Sequence, residues 1–169
     1  MPSAGPLRRM LGLAATRTLH LVPIERKGTT TAPLKDSAEV VGQVIEATVA
    51  LYARRGFVPP WTGYLAVEGN EIVGTCGFAG PPIGGEVEIA YFTLPGNEGR
   101  GIAKRMASYL LEMTKPTALL QRVQYIAHTL PKDGPSTSIL RALRFELEGE
   151  IRHPEDGVVW KWRQSASEA

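Results

Sequence analysis

A glycine-bearing loop carries the residues with the clearest chemistry in this chain. Residues 88–106 read EIAYFTLPGNEGRGIAKRM, with Gly96, Gly99 and Gly101 between an apolar run and a helix-compatible run. Glycines permit tight turns and close approach of the backbone to a ligand, and the first N–H groups of a helix lack intrahelical acceptors. Because such N–H groups favour anions, the segment predicts a site for a phosphorylated ligand. The alternative is a turn that only links a strand to a helix.

The histidines and the cysteine show no pattern of metal ligands along the sequence. His20, His128 and His153 lack the spacing of a metal site, and Cys76 stands in an apolar run. We therefore predict no metal site, and we expect Cys76 to be a small core residue. A single cysteine excludes an internal disulfide and fits a reducing cytoplasm.

Length and composition are those of one globular domain. The chain has 169 residues, 43% of them hydrophobic, and a net charge of +2 with its lysines and arginines scattered. This balance argues against nucleic-acid and membrane partners, and no apolar run approaches the roughly 18 residues of a spanning helix. We predict a cytoplasmic protein with a folded domain over 16–163 and a disordered tail over 164–169. Residues 1–15 are expected to be a flexible extension or an incorrectly assigned start.

The elements that must position the loop predict an α+β or mixed α/β domain on one sheet. Asp36, with Glu39 three residues on, is expected to cap the first helix, and Pro116 to end the second. The buried face of the second helix is predicted to comprise Ile102, Met106, Tyr109, Leu110 and Met113. The predicted strands are Thr18–Ile24, Tyr64–Val67, Glu71–Phe78, Glu86–Leu94, Leu119–His128, Phe145–Arg152 and Val158–Trp162, and the predicted helices are Asp36–Gly56, Arg100–Thr114 and Ser136–Leu143.

Two segments carry a resemblance to a known family. Glu98–Ala103, EGRGIA, resembles the Q/R-x-x-G-x-G/A acetyl-coenzyme A (acetyl-CoA) signature of the GNAT N-acetyltransferases, with Glu98 at the Gln/Arg position. His128–Phe145 resembles the N-x-x-S-x-x-x-L-x-x-x-G-F element of the same family. The closing sequence PEDGVVWKWR is similar to the branch related to ribosomal-protein-alanine acetyltransferases. The order of elements matches that fold from about Thr16 to Arg163.

The second motif contains two departures from the family pattern. Within it, Asp133, Ser136 and Phe145 stand for the family's Asn, Ser and Phe. Arg144 replaces the usual Gly, so the turn there is expected to differ. Leu140 stands where many members carry a Tyr that protonates the departing thiolate, which leaves that role open.

The resemblance implies a single GNAT-like domain with a central, mostly antiparallel twisted sheet flanked by helices. It places acetyl-CoA, as co-substrate and without a metal, at the strand-to-helix junction. Loop N–H groups would bind the pyrophosphate, Arg100 and Lys104 would add charge, and the strand end would pair with the pantetheine arm. The residues so implied are Phe92, Thr93, Leu94, Gly99, Arg100, Gly101, Ile102, Ala103, Lys104 and Ser136.

Three residues are catalytic candidates under this resemblance. Glu88, on the strand leading to the loop, is the candidate base; by alternation it shares a face with Glu86, Ala90 and Phe92. Its alternative role is a solvated or salt-bridged strand carboxylate. Ser136 is a candidate proton donor or thiol contact, or else the N-cap of a helix. His128 could assist proton movement or touch substrate, or be an ordinary hydrogen-bonded histidine.

The function implied is transfer of acetyl from acetyl-CoA to a primary amine by direct attack in a ternary complex. The acceptor would be a small-molecule amine or a peptide N-terminus. Its binding site would be shaped by Asp36–Trp61 and Ala79–Gly85. A homodimer is a further option, because exposed edges of this fold commonly pair. Leu140 motivates the alternative of a non-catalytic acyl-CoA-binding or regulatory module. Nucleotide binding by a P-loop is disfavoured, since no Gly-Lys-Ser/Thr follows the glycines.

Overall fold

The computed structural model of the protein describes residues 17–165. Within these residues, seven strands form one sheet in the order β1-β2-β3-β4-β5-β7-β6, and only the β4–β5 pair is parallel. The mixed, mostly antiparallel sheet predicted from the sequence is confirmed. The strands are β1 (Leu19–Pro23), β2 (Gly63–Glu68), β3 (Glu71–Phe78), β4 (Glu86–Thr93), β5 (Gln124–Thr129), β6 (Glu146–His153) and β7 (Gly157–Ser165).

In the described part of the chain, three helices cover the two faces of this sheet: α1 (Glu39–Arg55), α2 (Ile102–Gln121) and α3 (Pro135–Ala142). Side chains alternate along β2, and its residues divide between two hydrophobic clusters. Tyr64 and Ala66 pack in the cluster that contains residues of α2 and α3, whereas Leu65 and Val67 pack in the cluster that contains residues of α1. Helix α1 therefore lies on one face, and α2 and α3 on the other. No helix within residues 17–165 is long and apolar enough to cross a membrane.

The predicted core role of Cys76 is confirmed. The residue is buried in the cluster beneath α2, and burial raises the pKa of its thiol to about 12. Trp61 and Trp162 are fully buried in the same cluster. These side chains are therefore structural residues of the core.

The predicted cap of the first helix is wrong. Helix α1 begins at Glu39, and its N-cap is Ala38, with no side-chain cap. Asp36 has a φ of 62° and lies in the preceding turn. An N-cap must stand directly before the first helical residue, usually with an extended backbone, so Asp36 is too early and wrongly oriented.

The prediction that Pro116 ends the second helix is also wrong. Helix α2 continues to Gln121, because Thr114 and Ala118 on either side of Pro116 are fully buried. The Thr114 hydroxyl also bonds the Leu110 carbonyl and the Tyr125 hydroxyl, each at 2.8 Å. This packing outweighs the hydrogen bond that a proline cannot make. The next strand consequently begins at residue 124 rather than 119.

The predicted buried face of this helix is only partly correct. Tyr109 and Met113 are exposed, while Ala107 and Leu111 are buried beside the three residues predicted correctly. The stripe that meets the sheet is therefore rotated towards 107 and 111. The positions of the large apolar residues alone did not predict this stripe, because a small residue such as Ala107 can pack closest to the sheet.

The last strand extends beyond the predicted end of the domain. Strand β7 includes Gln164 and Ser165, and the buried Gln164 amide donates to the Leu143 carbonyl. The folded domain thus extends past the predicted end at 163, since the tail residue Gln164 is part of the core. The predicted extension over 1–15 and the tail residues 166–169 lie outside the described residues.

Candidate active site

The sheet opens between β4 and β5. These parallel strands pair only through Glu86–Glu88 and Gln124–Ile126. Beyond Glu88, β4 continues to Thr93 against β3, and β5 continues to Thr129 against β7. We call the resulting gap the β4–β5 split. It exposes a backbone edge of β4 that no described strand covers.

At the end of β4, the glycine loop leads directly into α2. Gly99 and Gly101 have φ values of 75° and 72°, a left-handed conformation that only glycine adopts readily. In the described chain no side chain caps α2, and its first backbone bond runs from Arg105 N–H to the Gly101 carbonyl at 3.2 Å. The N–H groups of Ile102, Ala103 and Lys104 precede that bond and lack helical acceptors. The loop therefore has the geometry of an anion cradle.

A buried ion-pair network supports this loop from below. The Glu68 carboxylate, at the end of β2, accepts hydrogen bonds from the guanidinium groups of Arg100 and Arg105. Burial raises the pKa of Glu68, but the hydrogen bonds and charges of the two arginines outweigh it and hold that pKa below 4.5. Arg100 also donates to the Asn97 side chain at 2.9 Å. Its guanidinium therefore ties the loop to the sheet, whereas Lys104 is exposed.

The strand end fits the predicted pantetheine contacts in part. Phe92 is exposed, and Phe92 and Thr93 pair with β3 on one side. Leu94 differs, because its N–H donates to the Val73 carbonyl at 3.0 Å and its carbonyl accepts from Asn97 N–H at 3.1 Å. Leu94 is also buried in the core and its N–H group is already engaged; its backbone contact with a ligand stays a prediction.

Two of the three catalytic candidates meet at the split. Glu88 Oε1 and His128 Nδ1 are 2.9 Å apart. This contact follows from register: Glu88 aligns with Ile126 on β5, so His128, two residues further on, shares its face. Alternation along single strands could not predict that pairing.

Two cavities adjoin this pair. One of about 220 Å³ is lined by residues that include Arg55, Gly80 and Glu88. The other, of about 300 Å³, is lined by residues that include His128 and Ser136. The loop over 79–85 and the end of α1 thus flank Glu88.

The third candidate, Ser136, is exposed and lies one position into α3. Its alternative role as N-cap is wrong, because Gly134 is the N-cap and Thr137 makes the capping bonds, both at 2.9 Å. The Ser136 carbonyl instead accepts a hydrogen bond from the Tyr91 hydroxyl at 3.2 Å. Burial raises the pKa of Tyr91 to about 12. Tyr91 is a candidate that the sequence did not indicate, since it reaches across the split from β4.

The two departures from the family motif have different structural outcomes. Leu140 is fully buried in the core, so no polar group replaces the usual Tyr at that position. Arg144 has a φ of 65°, the left-handed conformation that favours glycine. The turn after α3 therefore keeps a glycine-like shape despite the arginine.

Glu86 occupies the same face but is engaged by cations. Its carboxylate pairs with Lys161 at 3.1 Å and with Arg163, and both cations also pair with Glu148. Two acidic and two basic groups balance their charges. The network beside Glu88 therefore carries no net charge.

A third side chain lies beside the Glu88–His128 pair. Single ligand atoms of Glu88, His128 and His153 lie within 4.8 Å of one another, and the two imidazole centroids are 5.1 Å apart. His153 ends β6 and reaches the site only because β7 pairs with both β5 and β6. Sequence spacing gave no sign of this cluster.

Comparisons with known proteins agree on the family. Residues 25–146 match the model of the acetyltransferase (GNAT) domain. An uncharacterized N-acetyltransferase p20 of Bacillus licheniformis is 32% identical over 92 residues, which cover 54% of this chain and 51% of that protein. The matched segment thus spans about half the length of this curated relative.

Solved structures share the fold at low sequence identity. RimL, a ribosomal L7/L12 alpha-N-protein acetyltransferase in complex with coenzyme A, superposes with a TM-score of 0.63 at 17% identity, covering 89% of this chain and 95% of that one. The microcin C7 self-immunity acetyltransferase MccE, in complex with acetyl-CoA and AMP, gives 0.58 at 14% identity over 75% and 70%. A ribosomal-protein-S5-alanine acetyltransferase from Vibrio fischeri gives 0.57 at 18% over 73% and 69%.

The match of the family model covers the glycine loop, the split and the Glu88–His128 pair, and the superpositions extend over most of the described chain. On these grounds the chain belongs to the GNAT acetyltransferase family.

Proposed function

We propose that this protein is an N-acetyltransferase that moves an acetyl group from acetyl-CoA to a primary amine. The observation that carries the proposal is the Glu88–His128 pair at the β4–β5 split, with a cavity on each side. Acetyl transfer needs a group that takes a proton from the attacking amine, and this pair has the residue types for it. The amine of a small molecule and that of a peptide N-terminus both fit this chemistry.

The residues around the split fit acetyl-CoA. The N–H groups from Gly99 to Lys104 would bind the pyrophosphate, and the open edge of β4 at Phe92 and Thr93 would pair with the pantetheine amides. This arrangement would direct the thioester into the split, towards Glu88. Positioning of the two reactants there would supply much of the rate acceleration.

Proton removal is assigned to Glu88 and His128 as one unit. The carboxylate holds the imidazole through Nδ1 at 2.9 Å, as a carboxylate orients a catalytic histidine. The amine proton then passes to the carboxylate directly or to the free Nε2 of the ring. The neutral amine attacks the thioester carbon, the tetrahedral intermediate collapses, and the C–S bond breaks.

The departing thiolate would meet the Tyr91 hydroxyl beside Ser136. With a pKa of about 12, Tyr91 is a much weaker acid than a thiol, whose ordinary pKa is about 8.5. Full proton transfer from Tyr91 would therefore be uphill by about 3 to 4 pKa units. We assign Tyr91 a hydrogen bond to the thiolate, which solvent or the amine-derived proton then neutralises.

A non-catalytic acyl-CoA-binding module of the same fold is the second reading. This alternative is motivated by Leu140, which stands where many family members carry a Tyr. Tyr91 and the Glu88–His128 pair weaken that motivation, because they offer the groups that turnover requires. The two functions are separated by measuring the free thiol of CoA with a thiol reagent over a panel of amines and short peptides. Amine-dependent release of CoA would exclude the non-catalytic module.

The catalytic assignment is tested with Glu88→Gln. We expect kcat to fall about 100- to 10,000-fold, the usual contribution of general-base catalysis, while acetyl-CoA affinity by calorimetry stays within about twofold. Glu71→Gln, an exposed carboxylate on β3, is the matched control and should keep wild-type turnover. Unchanged turnover of Glu88→Gln across the pH range would remove this residue from the mechanism. Lack of acetyl-CoA binding at millimolar concentration would overturn the proposed function itself.

A further inference from the structure

We propose that Glu88, His128 and His153 form a binding site for a transition-metal ion, with Zn²⁺ as the best-fitting ion. Two imidazoles and one carboxylate are a ligand set that zinc uses where it keeps a fourth position open. Nitrogen ligands favour Zn²⁺ and related ions over Mg²⁺ and Ca²⁺, which prefer oxygen. The site would be inhibitory rather than a cofactor site, because acetyl transfer itself requires no metal.

The ligand atoms are close to the spacing that an ion needs. Two ligands at about 2.0–2.1 Å from a tetrahedral ion are about 3.3 Å from each other. Glu88 Oε1 and His128 Nδ1 are 2.9 Å apart, and all three ligand atoms fit within 4.8 Å. Displacements of the ligand atoms by about 1 Å, through side-chain rotation, therefore suffice to bring all three to coordination distance. The ion would replace the proton that Glu88 and His128 share.

Contacts in the β6–β7 turn hold the third ligand. His153 Nδ1 accepts hydrogen bonds from the backbone N–H groups of Glu155 and Asp156, at 3.2 and 3.3 Å, and lies 3.3 Å from the Asp156 carboxylate. These contacts occupy Nδ1 and leave Nε2 as the nitrogen available to an ion. Binding an ion at Nε2 would move the ring proton from Nε2 to Nδ1, where the Asp156 carboxylate would accept it in place of the backbone donors. Carboxylate–histidine–metal arrangements of this kind orient the ring and strengthen the ligand.

Burial of the three ligands suits entry of an ion from solvent. The exposed fractions are 10% for His128, 28% for Glu88 and 20% for His153. The ligands are thus shielded enough to be ordered and open enough to be reached. One carboxylate against a divalent ion leaves one positive charge, which a hydroxide or thiolate in the fourth position would offset.

Occupation of this site has a defined consequence that rests on the proposed function. The ion would take the carboxylate and the imidazole that remove the amine proton, so transfer would stop while acetyl-CoA could still bind. Removal of the ion by a chelator would restore the rate. Metal binding itself does not depend on whether the protein is an acetyltransferase.

The experiment measures binding before activity. Chelator-treated full-length protein without a histidine tag is titrated with ZnCl₂ against a chromophoric chelator, and Co²⁺ is added separately to record its visible ligand-field bands. We expect one ion per chain. His153→Asn should weaken binding at least tenfold, and Asp156→Asn about tenfold through the outer contact. His20→Asn, on β1 away from the cluster, is the matched control and should bind like wild type.

The outcomes separate the two proposals. Stoichiometric Zn²⁺ binding that His153→Asn weakens supports the site even when no acetylation is detected. Absence of stoichiometric binding, or equal affinity in wild type and a folded His153→Asn, overturns it. The fold of each variant is checked by its melting temperature. Where the protein turns over, the Zn²⁺ concentration for half inhibition, taken relative to each variant's own rate, should rise at least tenfold in His153→Asn; an unchanged value also contradicts the proposal.

Discussion

Glu68→Gln tests how the buried ion-pair network supports the cofactor loop. The substitution keeps the shape of the side chain but removes the charge that Arg100 and Arg105 share. The new amide NH₂ group would face a guanidinium, so one hydrogen bond becomes a repulsive contact. The variant should therefore be less stable than wild type and hold the loop less firmly.

The size of the effect follows from burial. Breaking a fully buried ion pair costs about 3–5 kcal/mol. Glu68 is only 3% exposed, but Arg100 and Arg105 are 45% and 27% exposed, so water can solvate the cations that lose their partner. We therefore expect a loss of about 2 kcal/mol in the free energy of unfolding, or about 6 °C in melting temperature.

The pH dependence gives this prediction its sign. The pKa of Glu68 is lowered in the folded protein, so its ionised form stabilises the fold at pH values above 4.5. That contribution is lost as the pH falls through the folded-state pKa. The difference between wild type and Glu68→Gln should be about 2 kcal/mol at pH 7 and should shrink as the pH falls below 4.5.

The assay is urea unfolding followed by tryptophan fluorescence at pH 7 and at pH 3.5, with Glu71→Gln as the exposed control. The KM for acetyl-CoA is measured in parallel and should rise in Glu68→Gln, because the loop loses its anchor. Equal stability of the variant and wild type at pH 7 would refute the reasoning. A stability difference that does not change with pH would refute the electrostatic origin.

Two further substitutions test other parts of the site. Tyr91→Phe should lower kcat about tenfold with an unchanged melting temperature, since it removes one charge-assisted hydrogen bond of about 1.5 kcal/mol; steady-state kinetics that match wild type would contradict the thiolate contact. Arg144→Gly should raise the free energy of unfolding by about 1 kcal/mol, because an arginine at a φ of 65° is strained and glycine is not. Arg144→Ala keeps the strain and should bring no gain, so equal stabilisation by both changes would refute the backbone argument.

Much of the fold was predictable because its signals are local. Alternating apolar residues gave the strands, and the Gly69-Asn70 and Asp156-Gly157 pairs gave the two hairpin turns. The errors arose where packing competes with a local rule. Pro116 is a strong local stop signal, yet burial of Thr114 and Ala118 carries α2 past it.

The sequence by itself determined the geometry of the glycine loop that we propose as the anion cradle. Glycines with left-handed backbone angles and the unpaired N–H groups of a following helix are properties of one short stretch, so their order along the chain is sufficient to predict them. Glu88 was likewise identified by its place on the strand that leads there.

Only the tertiary structure decided what surrounds that cradle. Glu88, His128 and His153 are up to 65 residues apart, and strand register across β4, β5, β7 and β6 brings them together. The Tyr91 hydroxyl reaches across the split to the Ser136 carbonyl. Such contacts depend on pairing between distant strands, which no local propensity encodes, and the proposed handling of protons and ions at the site rests on them.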